Sequence, residues 1–193
     1  PVDFSSDSLA EAKTGMERFY TTLKNIGDVL ARGVDYSKVS GKNLSGKDKD
    51  VFEYIEALPG RFTEAMEDDF NTAMAIGYMF DTVRVINSYL AEKENTMTVE
   101  KLFVLDVAQW YIKEVGRVLG LFLEDPDEYF QKDRNRESEK RGLNVEDIER
   151  WVEERRVARA AKDWESSDKI RKTLAEKGVI LKDTPTATTW KIE

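Results

Sequence analysis

Neither cysteine nor histidine occurs in the 193 residues. No disulfide can form, and the usual Cys/His zinc sites are excluded from this chain. Cys–His and Ser–His nucleophilic arrangements fall for the same reason. No run of about 18 apolar residues exists, so no helix is expected to span a membrane. The basic start and apolar core of a secretory signal are also absent. The chain opens at Pro1 and not at a methionine, and is expected to be a piece of something longer. These absences leave open carboxylate chemistry with Mg²⁺, for which the acidic run Glu67-Asp68-Asp69 is the nearest candidate. Acidic residues just before a helix more often only complement its dipole.

Charged residues make up 35% of the chain and hydrophobic ones 40%, the balance of a soluble, helix-rich protein. The length suits one domain, or one plus a small appendage. The formal net charge of −8 argues against non-specific nucleic-acid binding. That charge is uneven, however. Residues 148–193 carry 11 Lys and Arg against 9 Asp and Glu, whereas residues 1–147 carry 19 against 29. Any RNA contact is therefore expected in the C-terminal piece.

Apolar residues recur at helical spacing along much of the chain. After a Ser5/Ser6 cap, Leu9, Ala12, Met16, Phe19, Tyr20, Leu23 and Leu30 share one helix face, and Gly33 can close that helix. Residues 34–47 read as a loop. A segment over 48–58 meets Pro59-Gly60, where the proline predicts a kink or break, and 61–68 leads onward. The stretch MEDDFNTAMAIGYMFDTVRVINSYL (66–90) organises the middle of the chain. Asn71 or Thr72 is expected to cap a helix over 72–92, with Ile76, Met79, Phe80, Val83, Ile86 and Leu90 inward. Glu94-Asn95-Thr96 ends it. Thr98 caps a helix over 99–119, with Leu102, Leu105, Ala108, Ile112, Val115 and Leu119 inward, Trp110 and Tyr111 adding apolar area, and Gly120 as the stop.

Helices of this length on short links predict an antiparallel bundle over 1–124. Pro126 and the mixed charges of 132–141 read as a linker, placed at 125–143. Residues 144–193 form a separate small domain. Asn144 caps a helix over 145–161, Lys162-Asp163 breaks the pattern, and a helix over 164–177 ends at Gly178. Val179-Ile180-Leu181 and Thr188–Ile192 then read as a hairpin, with a turn at Asp183-Thr184-Pro185. The fold class is mainly α: an antiparallel helical bundle followed by a small α+β domain of two helices and a short β-hairpin.

Two stretches resemble one known family. MEDDFNTAMAIGYMFDTVRVIN is similar to the start of the helical, DALR-type anticodon-binding region of the cysteinyl-tRNA synthetases. Asp81-Thr82-Val83-Arg84 supplies its Asp-x-x-Arg element, and Ala73 stands where the family usually has proline. ERRVARAAKDWESSDKIRKTLAEKGVILKDTPTATTW is similar to the family's C-terminal signature, with Ala187 where glycine is usual. The two motifs stand in the family's order, and the resemblance covers nearly the whole chain. It implies the C-terminal fragment of a cytoplasmic class I aminoacyl-tRNA synthetase that joins cysteine to its tRNA using ATP. ATP and a zinc ion would belong to an N-terminal catalytic domain of the same chain, whose signature motifs and zinc ligands are missing here. This chain alone is expected to be catalytically silent and without a cofactor. Its implied partner is tRNA-Cys, with neither DNA nor a membrane expected.

Chemistry alone says less about individual residues. Arg155, Arg159 and Lys162 fall at i, i+4 and i+7 and are expected on one helix face, able to bind phosphate or, for arginine, the guanine edge. The plainer alternative is a solvated basic face. Trp164, at the helix–helix junction, can stack an unpaired base or simply wedge the helices apart. A carboxylate repels phosphate, so Asp168 and Asp183 suit an RNA site only at base edges, which unpaired anticodon bases expose. Otherwise Asp168 is a helix-surface residue and Asp183 a turn residue. The resemblance implies that Arg159, Asp168 and Asp183 read the anticodon, with Arg155 and Trp164 beside them, while Lys162, from its charge alone, is expected to contact RNA without regard to sequence. No catalytic or metal-binding residue is expected. Two rivals stand beside this reading: a helical protein-interaction scaffold and a stand-alone carboxylate–metal enzyme.

Overall fold

The computed structural model describes residues 5–92, 97–183 and 188–192. The chain divides into two compact units, residues 1–126 and 127–193. The first holds helices α1 (Ser6–Leu30), α2 (Gly46–Glu56), α3 (Leu58–Glu67), α4 (Thr72–Leu90) and α5 (Val99–Val118). A single 3-10 turn at Gly41–Asn43 sits in the segment expected as a loop.

Local signals start and stop these helices. Ser5, Asn71 and Thr98 each accept a backbone N–H of the first turn, from Ser8, Met74 and Lys101 respectively, which satisfies an otherwise orphaned donor. The break around Pro59 falls at Ala57, between α2 and α3. Pro59 itself sits in the first turn of α3, where its missing N–H does no harm. The lead-in expected over 61–68 is therefore mostly helix. Arg61 ties the two helices together: its Nη2 donates to the Tyr54 carbonyl at 2.8 Å, and its guanidinium lies over the Tyr54 ring.

Two expected faces come out differently. Leu9 and Ala12 of α1 are exposed, and the helix is buried only from Phe19 onward. The buried stripe of α4 is Ala75, Met79, Thr82, Val83, Ile86 and Tyr89; Ile76, Phe80 and Leu90 flank it, half-buried. Polar residues entered the stripe because each finds a partner, as buried polar groups must. The Thr82 hydroxyl donates to the Tyr78 carbonyl at 2.9 Å. Lys101 of α5, 1% exposed, donates from Nζ to the Tyr89 carbonyl at 2.6 Å. The Tyr89 hydroxyl donates to Asp48, so α2, α4 and α5 share one polar tie. Burial, and then the bond to Asp48, push the Tyr89 hydroxyl pKa up, so it stays a donor.

At the end of α5, Gly120 takes a positive φ of 71° and turns the chain back. Phe122 then packs on Phe19 and Tyr20, with ring centroids 5.0 and 5.8 Å away. Its ring lies so close to Gly116 that a Cβ there would come within 2.3 Å of it.

Residues 125–143, expected as a linker, hold helix α6 (Pro126–Lys140). It carries almost no apolar stripe, so periodicity could not reveal it. Pro126 pre-sets the first turn, and Asp127 and Glu128 complement the dipole there. Gly142, with φ of 64°, ends it, and the Leu143 N–H reaches back to the Ser138 carbonyl at 2.9 Å. Helices α7 (Val145–Ala160) and α8 (Trp164–Glu176) follow. They are capped by Asn144 and by Asp163, which accept from the N–H groups of Glu146 and Ser166.

Strands β1 (Val179–Asp183) and β2 (Thr188–Ile192) pair antiparallel, with Leu181 opposite Trp190 and Asp183 opposite Thr188. Ile148, Leu174, Val179 and Trp190 form the buried centre, ringed by Trp151, Val152, Ile170 and Leu181. The expected segment Glu94-Asn95-Thr96 and the turn residues Thr184, Pro185 and Ala187 lie outside the described residues. No helix among the described residues is long and apolar enough to cross a membrane.

Candidate nucleic-acid interface

The expected site residues come from three elements of the second unit. Arg155 and Arg159 lie one turn apart on α7, so their side chains leave the helix in the same direction. Asp183 ends β1, and the hairpin register sets Thr188 of β2 directly across from it. Antiparallel pairing and the packing of β1 on α8 bring this strand end to the α7 arginines, which are 28 and 24 residues away in sequence.

The result is a four-bond cluster on one carboxylate. Arg155 donates from Nη1 to Asp183 Oδ1 and from Nη2 to Oδ2, both at 2.9 Å. Arg159 Nη1 donates to Oδ2 at 2.8 Å. The Thr188 hydroxyl donates to Oδ1 at 2.7 Å. A carboxylate offers about four lone-pair sites, so those of Asp183 are all engaged. The hydrogen bonds from Arg155 and then Thr188 hold the Asp183 carboxyl far below the usual carboxylate range. The same Asp183 contact raises the pKa of the Arg155 guanidinium against its desolvation, and the nearby charge of Asp168 adds to that.

The cluster is graded in depth. The Arg155 side chain is only 3% exposed, against 39% for Asp183 and 45% for Arg159. Arg155 therefore lies behind the surface, and its buried Nε has no hydrogen-bond partner among the described residues. Asp168, on α8, is exposed, as base-edge contact requires. Trp164, the first residue of α8, is 58% exposed. It is not a wedge between the helices, and its ring is open to a stacking partner. Lys162 is exposed but does not continue the arginine face as expected. Helix α7 stops at Ala160, and Lys162 takes a left-handed φ of 61° that closes it, so its side chain leaves from the turn.

Thr188 is the participant that sequence reasoning did not single out. Its signal was present, since the hairpin expected from Val179 to Ile192 sets Thr188 close to Asp183. The acidic run at 67–69 gains nothing from the fold. The chain has no cysteine or histidine, and among the described residues no group of three or more carboxylates is placed to hold a metal ion.

Comparison with known proteins converges on the same reading. Residues 61–124 match the model of the DALR domain, and residues 140–190 match that of the cysteinyl-tRNA ligase anticodon binding domain. The whole chain is 40% identical to a cysteine–tRNA ligase of Geobacter sulfurreducens and 39% identical to that of Geobacter metallireducens. It is 34% identical to that of Thermodesulfovibrio yellowstonii. In each case it spans 38% of the relative's length. Over that span the chain belongs to the cysteinyl-tRNA ligase family, as a DALR domain followed by that family's anticodon binding domain.

Proposed function

We propose that this chain binds tRNA-Cys through its second unit and reads the anticodon there, serving cysteine–tRNA ligation in the cytoplasm. The ligation itself, with its ATP and zinc, is assigned to a catalytic domain on the same longer chain, and these 193 residues alone are catalytically silent. One observation carries the reading. In the unit that matches an anticodon binding domain, Arg159, Asp168 and Trp164 are all solvent-accessible, in a unit whose charge does not repel RNA.

Each residue supplies a different interaction. Arg159 spends one N–H on Asp183 and keeps its remaining donors for base-edge acceptors. Asp168 accepts from cytosine N4 or from the Watson–Crick N–H groups of guanine. Trp164 offers a face for an unpaired base. Lys162, a point charge on a flexible stem, suits phosphate.

The scaffold reading is favoured by one feature of the first unit. An open apolar cleft of about 800 Å³ lies between α3 and α5, with exposed Phe70, Trp110 and Val118 at its edge. A salt titration separates the two readings. Binding of a tRNA-Cys transcript to the full chain should weaken steeply as salt rises, and an anticodon-swapped transcript should bind less well at every salt concentration. Equal, salt-insensitive behaviour toward both transcripts would leave the scaffold standing.

A further inference from the structure

We propose that Arg155 is a positioning residue for nucleobase recognition: buried behind the exposed cluster, it fixes the Asp183 carboxylate and through it the Arg159 guanidinium, without touching RNA itself. This rests on the anticodon-reading function proposed above.

Depth is the first argument. A side chain 3% exposed cannot present hydrogen-bond donors to a ligand on the surface. Geometry is the second. Two parallel bonds of 2.9 Å from one guanidinium to both oxygens set the plane of the carboxylate as well as its position. Once that plane is set, each Asp183 oxygen has one acceptor direction left. Thr188 takes the one on Oδ1 and Arg159 takes the one on Oδ2. The Arg159 head is thereby held at 2.8 Å from a fixed point while most of its donors stay free. A long exposed side chain that is already ordered loses less entropy on binding, and it presents one donor pattern instead of many.

A lysine could replace the charge of Arg155 but not the fork, because an ammonium is a point donor that leaves the carboxylate free to rotate. Arg155→Lys is therefore the informative variant. The test is equilibrium binding of the full 193-residue chain to a tRNA-Cys transcript and to the same transcript with a changed anticodon, over a range of salt.

For Arg155→Lys, the ratio of the two affinities should fall about fivefold or more. Affinity for the changed transcript, and the slope of log affinity against log salt, should stay at wild-type values. An unchanged ratio would overturn the proposal. So would a slope shallower by about 0.7–0.9, the mark of a lost phosphate contact. An equal loss of affinity for both transcripts would reduce Arg155 to a structural part and overturn it as well.

If the Arg155 variants fail to fold, Thr188→Val removes one donor from the same carboxylate without burying a charge. It should lower the ratio by a smaller factor, and an unchanged ratio there counts against the proposal. A wild-type chain that shows no preference between the transcripts would sink the anticodon-reading function itself, which is a different failure.

Discussion

Asp183 carries a single charge and receives donors from three side chains on two other elements. In the free protein it can accept from a base only by releasing Thr188 or Arg159, because Arg155 is the buried partner. Asp168 is under no such obligation, and Arg159 has donors to spare. The expected division of labour follows at this scale. Arg159→Ala and Asp168→Asn should each lower discrimination between the cognate and the changed anticodon by about 1–3 kcal/mol, read as a ratio of dissociation constants. Lys162→Ala should instead weaken both transcripts alike and make the salt dependence shallower. Selectivity lost at Lys162, or kept at both of the other positions, would reverse these assignments.

Elements are decided by where backbones approach each other. Two glycines of the first unit show the contrast. At Gly116 an added methyl would meet the Phe122 ring at 2.3 Å, whereas at Gly27 nothing lies within 4 Å. Gly116→Ala must displace the ring that seals α5 against Phe19 and Tyr20, and overpacking of this kind costs about 1–3 kcal/mol. Gly27→Ala, in the interior of α1, should stabilise by up to about 1 kcal/mol through the reduced entropy of the unfolded chain. Thermal melts of the two variants should therefore move in opposite directions. Helix α6 teaches the complementary lesson. With hardly any apolar spacing it rests on its proline start, its glycine stop and contacts such as that of Arg134 over the Trp190 ring.

For the molecule as a whole, the Asp183 cluster makes folding of the second unit depend on pH. The folded-state pKa of Asp183 is depressed, so its ion pairs add stability above the unfolded carboxylate value of about 4. That stability is lost as pH falls from there toward the folded value. Acid unfolding followed through the second unit's tryptophans should show this loss below about pH 4, and Asp183→Asn should be less stable at neutral pH and flatter in that acid range. An unaltered acid slope in the variant would show that other carboxylates govern it.

Helix periodicity, caps and glycine stops are interactions between residues three to five apart, so α1, α4, α5, α7 and α8 were legible in the chain, and β-prone residues on either side of a turn marked the two strands of the hairpin. The same is true of the residue types that suit base edges. What a linear reading could not supply is depth. Nothing local distinguishes Arg155 from Arg159, since both are arginines on one face of one helix. Only the arrival of a strand from 28 residues downstream buries one and leaves the other half in water. That difference follows from the hairpin register and from its packing against the helices, contacts at long sequence separation that exist only once the unit has closed.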